Sequence, residues 1–122
     1  MKFGILGEAK IAREHVVPAI LNAGHEVTHV GRRIPGKASL PKIYGNAIET
    51  DYESLINDPS IDAIYNPLPN HLHVPYSIEA LKSNKHVLCE KPVAINLKEL
   101  LLLEKVAKES KAFFYEAFMV RS

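Results

Sequence analysis

Residues 85–92 combine an apolar stretch with two charged side chains and a proline, in the order Lys-His-Val-Leu-Cys-Glu-Lys-Pro. The apolar residues predict a short buried strand, which the proline ends. Ligands of open parallel sheets bind beyond the carboxyl ends of the strands, so this pattern delivers Glu90 and Lys91 to a binding edge. An ammonium group there can orient a hydroxyl and stabilise negative charge that develops on oxygen. The alternative is that both residues are ordinary solvated charges.

A second chemical pattern follows the first predicted strand, where residues 4–12 read Gly-Ile-Leu-Gly-Glu-Ala-Lys-Ile-Ala. Against the Gly-x-Gly-x-x-Gly turn of dinucleotide-binding proteins, Gly7 takes the first glycine, whereas alanines stand at the second and third positions. A helix that begins here would offer N–H groups and a partial positive charge to a pyrophosphate. The alternative is that these small residues serve packing alone. The predicted cofactor-binding residues of the turn are Gly7, Glu8, Ala9, Lys10 and Ile11.

Two arginines follow the second predicted strand, in the sequence Gly31-Arg32-Arg33. Sites that prefer NAD usually place a carboxylate here, which accepts hydrogen bonds from the adenosine ribose. A guanidinium group instead holds a 2′-phosphate through charge-assisted hydrogen bonds. This position therefore favours NADP, with NAD as the other possible cofactor. Alternatively, Arg32 and Arg33 only solvate a loop.

Residues 66–73 read Asn-Pro-Leu-Pro-Asn-His-Leu-His, a loop in which two prolines restrict the backbone. Such a loop can present polar groups at a defined height above the sheet. Two histidines one residue apart could suggest a metal, but no further ligand lies at a suitable spacing, so we predict no metal site. Asn70 and His71 could equally cap a helix.

Composition restricts the class of protein. The chain has 122 residues, of which 47% are hydrophobic and 24% charged, as in one soluble globular domain. A formal charge of +1 argues against a nucleic-acid-binding surface, and no apolar run is long enough for a membrane span. The start of the chain lacks a signal-peptide pattern, which predicts a cytoplasmic location. The single cysteine, Cys89, agrees with a reducing compartment and is predicted to be a small core residue.

Apolar segments alternate with helical patterns along the chain. Strands are predicted at residues 3–6, 26–30, 47–48, 61–65, 86–89 and 112–118. The clearest helix covers residues 96–110, with Asn96 as N-cap, and another covers residues 71–83 with Pro75 in its first turn. Pro18 should end or kink a first helix that opens near Lys10. This alternation predicts an α/β fold with a doubly wound, mainly parallel Rossmann sheet of about six strands and helices on both faces.

Taken together, these segments resemble the Gfo/Idh/MocA family of NAD(P)-dependent oxidoreductases, the glucose-fructose oxidoreductase and inositol dehydrogenase type. The resemblance includes Glu-Lys-Pro at 90–92, Pro-Leu-Pro-Asn-x-x-His at 67–73, a variant Gly-x-Ala-x-Ile-Ala turn at 7–12, and Glu-Ala-x-Met-x-Arg at 116–121. It extends over nearly all of the chain. Gly31 departs from a serine that NADP-linked members often have before the arginine.

The resemblance implies roles for particular residues. Lys91 would lie beside substrate and cofactor as the catalytic residue, and the Lys91-Pro92 bond is often cis in the family. Gly31 is predicted to be a cofactor-side residue together with Arg32 and Arg33. The cofactor-side residues implied elsewhere, outside the first turn, are Pro67, Leu68, Asn70, His73, Glu90 and Lys91.

Family members continue into a second α/β domain that supplies substrate contacts, the oligomer interface and usually a proton-transferring histidine. The resemblance therefore implies that residues 1–122 are the dinucleotide-binding domain of an oxidoreductase for a sugar, polyol or related substrate, which would bind that substrate only with a second domain or chain. The alternatives are a stand-alone NAD(P)-binding module without turnover and a degenerate Rossmann domain. Without the second domain, the apolar residues Phe118, Met119 and Val120 predict self-association or a partner chain.

Overall fold

The computed structural model describes residues 1–7, 12–35, 40, 42–91, 94 and 96–116. Its centre is a six-stranded sheet in the order β3-β2-β1-β4-β5-β6, in which all neighbouring strands are parallel. The strands are Lys2–Leu6 (β1), Glu26–Gly31 (β2), Ile48–Thr50 (β3), Ala63–Asn66 (β4), His86–Cys89 (β5) and Phe114–Glu116 (β6). The order reverses between β1 and β4, so the crevice beyond their carboxyl ends is the expected ligand position. The doubly wound Rossmann fold is confirmed.

Helices cover both faces of this sheet. The α-helices are Val17–Asn22 (α1), Tyr52–Asn57 (α2), His73–Lys82 (α3) and Leu97–Glu109 (α4). Apolar side chains of α2, α3 and α4 pack with β1, β4 and β5 into one core cluster, which includes Leu55, Leu81 and Leu103. Val17 and Ile20 of α1 pack into a second cluster on the other face. Parallel strands need such cover because both of their faces are apolar.

Local hydrogen bonds explain where the observed strands differ from the prediction. The fourth strand begins at Ala63 instead of residue 61, because the Ile61 N–H closes a turn on the Asp58 carbonyl at 3.2 Å. The sixth begins at Phe114 instead of residue 112, since the Ala112 N–H donates to Ser110 Oγ. Residues 117 and 118 of that predicted strand, and the predicted self-association surface, lie outside the described residues.

The helix predictions were partly right. Asn96 caps α4 as predicted, since its Oδ1 accepts the Glu99 N–H at 2.9 Å. Pro75 lies in the first turn of α3. Helix α2 was not predicted, although Asp51 caps it by accepting the Ser54 N–H at 2.7 Å.

The first helix changes type near Pro18 and does not end there. A π-helical segment, Ala12–Val16, passes directly into α1, and Pro18 lies in the first turn of α1. A proline lacks the N–H that an α-helical hydrogen bond needs, and a π turn before it is one way to accommodate that loss. The predicted opening of this helix near Lys10 falls outside the described residues.

Candidate functional site

Gly7 brings three segments together at the carboxyl edge of the sheet. Its φ angle is +80°, a conformation that side-chain-bearing residues rarely adopt, and its N–H donates to the Gly31 carbonyl at 2.7 Å. A Cβ added to Gly7 would lie 3.3 Å from Leu68 Cδ2 and 3.9 Å from Tyr52 Oη. The turn after β1 therefore lies against the end of β2, the loop after β4 and the start of α2. The other predicted residues of the turn, Glu8, Ala9, Lys10 and Ile11, lie outside the described residues.

A pocket of about 450 Å³ opens beside this turn, at the ends of β2 and β3. The aromatic side chains Tyr52 and Tyr76 line this pocket and pack edge to face, with ring centres 5.3 Å apart. Burial, and then the neighbouring Tyr76, raises the pKa of Tyr52, while the positive charge of Arg33 acts in the opposite direction. The pocket thus combines an aromatic wall with cationic groups and can accept a flat ring that carries an anion. Its lining residues are Arg32, Arg33, Asp51, Tyr52, Glu53, Leu72 and Tyr76.

The two arginines of this pocket differ in environment. Arg32 is only 6% exposed, its Nη1 lies 3.2 Å from Glu49 Oε1, and its N–H donates to the Thr50 carbonyl at 2.8 Å. Arg33 is exposed. The solvated-loop alternative therefore fails for Arg32. Gly31 is buried, and a Cβ there would lie 3.0 Å from Tyr52 Cδ1, so close packing explains the absence of a serine.

A buried asparagine, Asn66, supports the loop after β4. Its Nδ2 donates to the His73 carbonyl at 3.0 Å and to Ser77 Oγ at 3.1 Å, and its Oδ1 accepts the Leu68 N–H at 3.2 Å. Sequence reasoning did not select Asn66 as a site residue. The available signal was a polar amide at the end of an apolar strand, directly before a proline. Such a fully buried amide must satisfy its hydrogen bonds within the protein, and here it does so by shaping the loop.

His73 holds the same loop from its other end. The ring is 1% exposed, and its Nε2 lies 2.5 Å from the Leu68 carbonyl oxygen. The structure thus gives His73 a role in positioning the loop, and a direct cofactor contact stays a prediction. Pro67 and Leu68 are buried in the loop as well.

Asn70 and His71 are exposed and lie in a short 3₁₀ turn, Asn70–Leu72. The capping alternative for these two residues is wrong, since Leu72 occupies the N-cap of α3 and no side chain caps that helix. Asn70 is thus accessible from solvent, and its contact with a cofactor stays a prediction.

Glu90 is buried at the end of β5, where it is only 4% exposed. The Tyr65 hydroxyl donates to its Oε2 at 2.5 Å, and the Glu90 N–H donates to the Asn66 carbonyl at 3.1 Å. The solvated-charge alternative is thus wrong for Glu90. The next residue, Lys91, is exposed at the same edge, and the predicted cis bond involves Pro92, which lies outside the described residues.

Cys89 is a core residue, as predicted. Its side chain is fully buried, and burial raises the pKa of the thiol to about 12. Only the thiolate reacts readily, so this cysteine is protected both by exclusion of reagents and by its protonation.

We expect native Cys89 to remain unmodified by a disulfide exchange reagent such as DTNB at pH 8, and one thiol to react once the chain is unfolded in urea. Because the chain has a single cysteine, the released chromophore reports this residue alone. Complete modification of the native chain within minutes would contradict the buried position.

Two other properties concern metals and membranes. Within the described part of the chain, no group of three or more His, Cys, Asp or Glu side chains is arranged to hold a metal ion. None of the described helices has both the length and the apolar character that a membrane span requires.

Several known proteins are similar in sequence to this chain. A curated relative, the uncharacterized oxidoreductase ORF334 of Rhizobium meliloti, is 39% identical over 100% of this chain and 37% of its own length. The D-xylose 1-dehydrogenase (NADP(+)) 2 of Haloferax volcanii is 37% identical over 99% of this chain and 38% of its own length. The chain thus spans less than two-fifths of the length of these relatives.

Solved structures are similar to this chain as well, again over part of their length. KijD10, a 3-ketoreductase from Actinomadura kijaniata solved in complex with TDP-benzene and NADP, superposes with a TM-score of 0.88 at 31% identity, over 98% of this chain and 38% of KijD10. A sequence model described as an oxidoreductase family with an NAD-binding Rossmann fold matches residues 1–118. The fold, the glycine turn and this match lead to one conclusion: the chain belongs to the Gfo/Idh/MocA oxidoreductase family and forms its NAD(P)-binding Rossmann domain.

Proposed function

We propose that this chain binds NADP(H) in preference to NAD(H), as the cofactor-binding part of an oxidoreductase that acts on a hydroxyl or carbonyl group of a sugar or polyol. The observation that carries the proposal is the pocket at the end of β2, where Arg32 and Arg33 occupy the place of the carboxylate usual in NAD sites. Two relatives support it, since the Haloferax xylose dehydrogenase is named for NADP(+) and KijD10 was solved with NADP.

The described residues fit such a dinucleotide. Gly7 allows the tight turn that such a site needs, because its φ of +80° suits glycine and any Cβ would crowd Leu68. The Tyr52 and Tyr76 rings offer an aromatic wall for adenine, and the exposed Arg33 guanidinium can reach a 2′-phosphate. The remaining phosphate contacts are proposed for residues 8–11.

Lys91 is the proposed catalytic residue of this domain. Its exposed ammonium group at the carboxyl edge would orient the substrate oxygen and stabilise the charge that develops there. The buried Glu90 and its partner Tyr65 fix the backbone from which Lys91 extends. A bound nicotinamide would donate or accept the hydride. Further substrate contacts and a proton-transferring group are proposed to come from a second domain or chain, since the relatives are much longer.

The test is a titration of the purified chain with NADPH and with NADH, followed by nicotinamide fluorescence. We expect NADPH to bind about tenfold more tightly or better, since a charge-assisted contact to phosphate contributes about 1.5–3 kcal/mol. Replacing Arg33 by alanine should remove most of that preference and change NADH binding little. Equal affinities for the two nucleotides would reject the NADP preference, and binding of neither would reject the cofactor site in this chain.

A further inference from the structure

Arg32 forms an ion pair with Glu49 next to the pocket. Glu49 lies in β3 opposite Val30 of β2, and its Oε1 is 3.2 Å from Arg32 Nη1. The Arg32 side chain is 8% exposed and the Glu49 side chain 20% exposed, so the pair is largely shielded from water. Glu49 is not a lining residue of the pocket, whereas Arg32 is.

This contact changes the charge that a ligand meets. At such shielded positions a carboxylate within a few ångströms offsets most of the field of a guanidinium. Of the two arginines, Arg33 is the exposed one. The pocket also carries the carboxylates of Asp51 and Glu53, and Asp51 is engaged with the backbone and hydroxyl of Ser54. Among the described residues, the guanidinium groups of Arg32 and Arg33 thus lie near the carboxylates of Asp51 and Glu53 in the pocket and of Glu49 behind it.

We propose that Glu49 is a positioning residue that limits the preference for the phosphorylated cofactor, because it holds Arg32 in place and neutralises its charge. This inference rests on the proposed function. A 2′-phosphate carries about two negative charges, whereas the 2′-hydroxyl of NADH carries none. The Glu49 carboxylate therefore weakens NADPH binding and leaves NADH binding nearly unchanged.

The Glu49→Gln variant isolates the charge, because glutamine keeps a carbonyl oxygen that can accept from Arg32. We expect NADPH to bind about three- to tenfold more tightly at 50 mM NaCl, with NADH affinity within about twofold of the original chain. The gain should shrink only in part at 500 mM NaCl, since salt screens buried and partly buried charges less than exposed ones. Glu104→Gln in α4, an exposed position, makes the same change in net charge and should alter neither affinity.

A second pair of variants tests the role of Glu49 even if the Glu49→Gln variant by itself does not fold. Arg32→Gln should weaken NADPH binding relative to the original chain, since it removes a positive charge beside the pocket and keeps the Glu49 carboxylate. Adding Glu49→Gln to this variant should then restore part of the NADPH affinity. A thermal melt of each variant checks that it is folded.

The outcomes separate the two proposals. If the original chain binds neither nucleotide, both the proposed function and the role of Glu49 fail. If NADPH binds as proposed but the folded Glu49→Gln variant keeps the same NADPH-to-NADH ratio, or binds NADPH less tightly, the role of Glu49 alone is overturned. A gain in NADPH affinity that NADH does not share, and that the Glu104→Gln control does not show, supports it.

Discussion

Replacing Asn66 by leucine is expected to lower the free energy of unfolding by about 3 kcal/mol and to weaken NADPH binding more than about tenfold. Leucine has a similar size but cannot hydrogen-bond. The change would remove the buried hydrogen bonds that Asn66 makes with the His73 carbonyl, Ser77 Oγ and the Leu68 N–H. Each buried group that loses its partner costs about 1–3 kcal/mol, although relaxation of the loop recovers part of the total. The same relaxation should displace the loop, and this displacement is why NADPH binding should weaken.

Urea denaturation measures the change in the free energy of unfolding, and nicotinamide fluorescence measures the affinity for NADPH. The matched control is Asn46→Leu, because Asn46 is an exposed asparagine outside this loop. We expect its stability to change by less than about 0.5 kcal/mol and its cofactor affinity to be unchanged. An Asn66→Leu variant as stable as the Asn46→Leu control would show that Asn66 does not support the loop.

The second large effect is expected from Gly7→Ala. The φ angle of +80° makes any side chain costly by about 1–2 kcal/mol, and the added Cβ would press against Leu68 at 3.3 Å. The loop or the turn must then shift, so we expect NADPH affinity to fall by about tenfold or more.

Gly24→Ala separates backbone strain from crowding at the site. Gly24 has a φ of +88°, but a Cβ there would meet nothing within 4 Å. Gly24→Ala should therefore lose only the stability that backbone strain costs, whereas Gly7→Ala should lose at least as much stability and also cofactor affinity. If the Gly24 variant loses as much NADPH binding as the Gly7 variant, general destabilisation explains the effect and the turn has no special role.

Short-range patterns in the sequence were sufficient for much of this fold. Apolar runs separated by helical segments indicated a parallel doubly wound sheet, because strands buried on both faces must be apolar throughout. Asn96 was identifiable as a cap because capping depends on a side chain and an N–H only three residues apart. Short edge elements were harder to predict. Strand β3 was placed at residues 47–48, but it covers Ile48–Thr50, where polar residues mask the strand pattern at the edge of the sheet.

The site shows the same division between local and long-range information. Local sequence order was enough to place Gly7, the arginine pair and Glu90-Lys91 at the carboxyl edge, since each follows a strand directly. Which of these groups are buried, and what they contact, depends on how the strands and helices pack. Arg32 meets Glu49, Glu90 meets Tyr65, and Asn66 supports the loop. Asn66 and His73 are 7 residues apart, Arg32 and Glu49 are 17 apart, and Tyr65 and Glu90 are 25 apart. No local pattern records which distant side chain will satisfy a buried charge or amide.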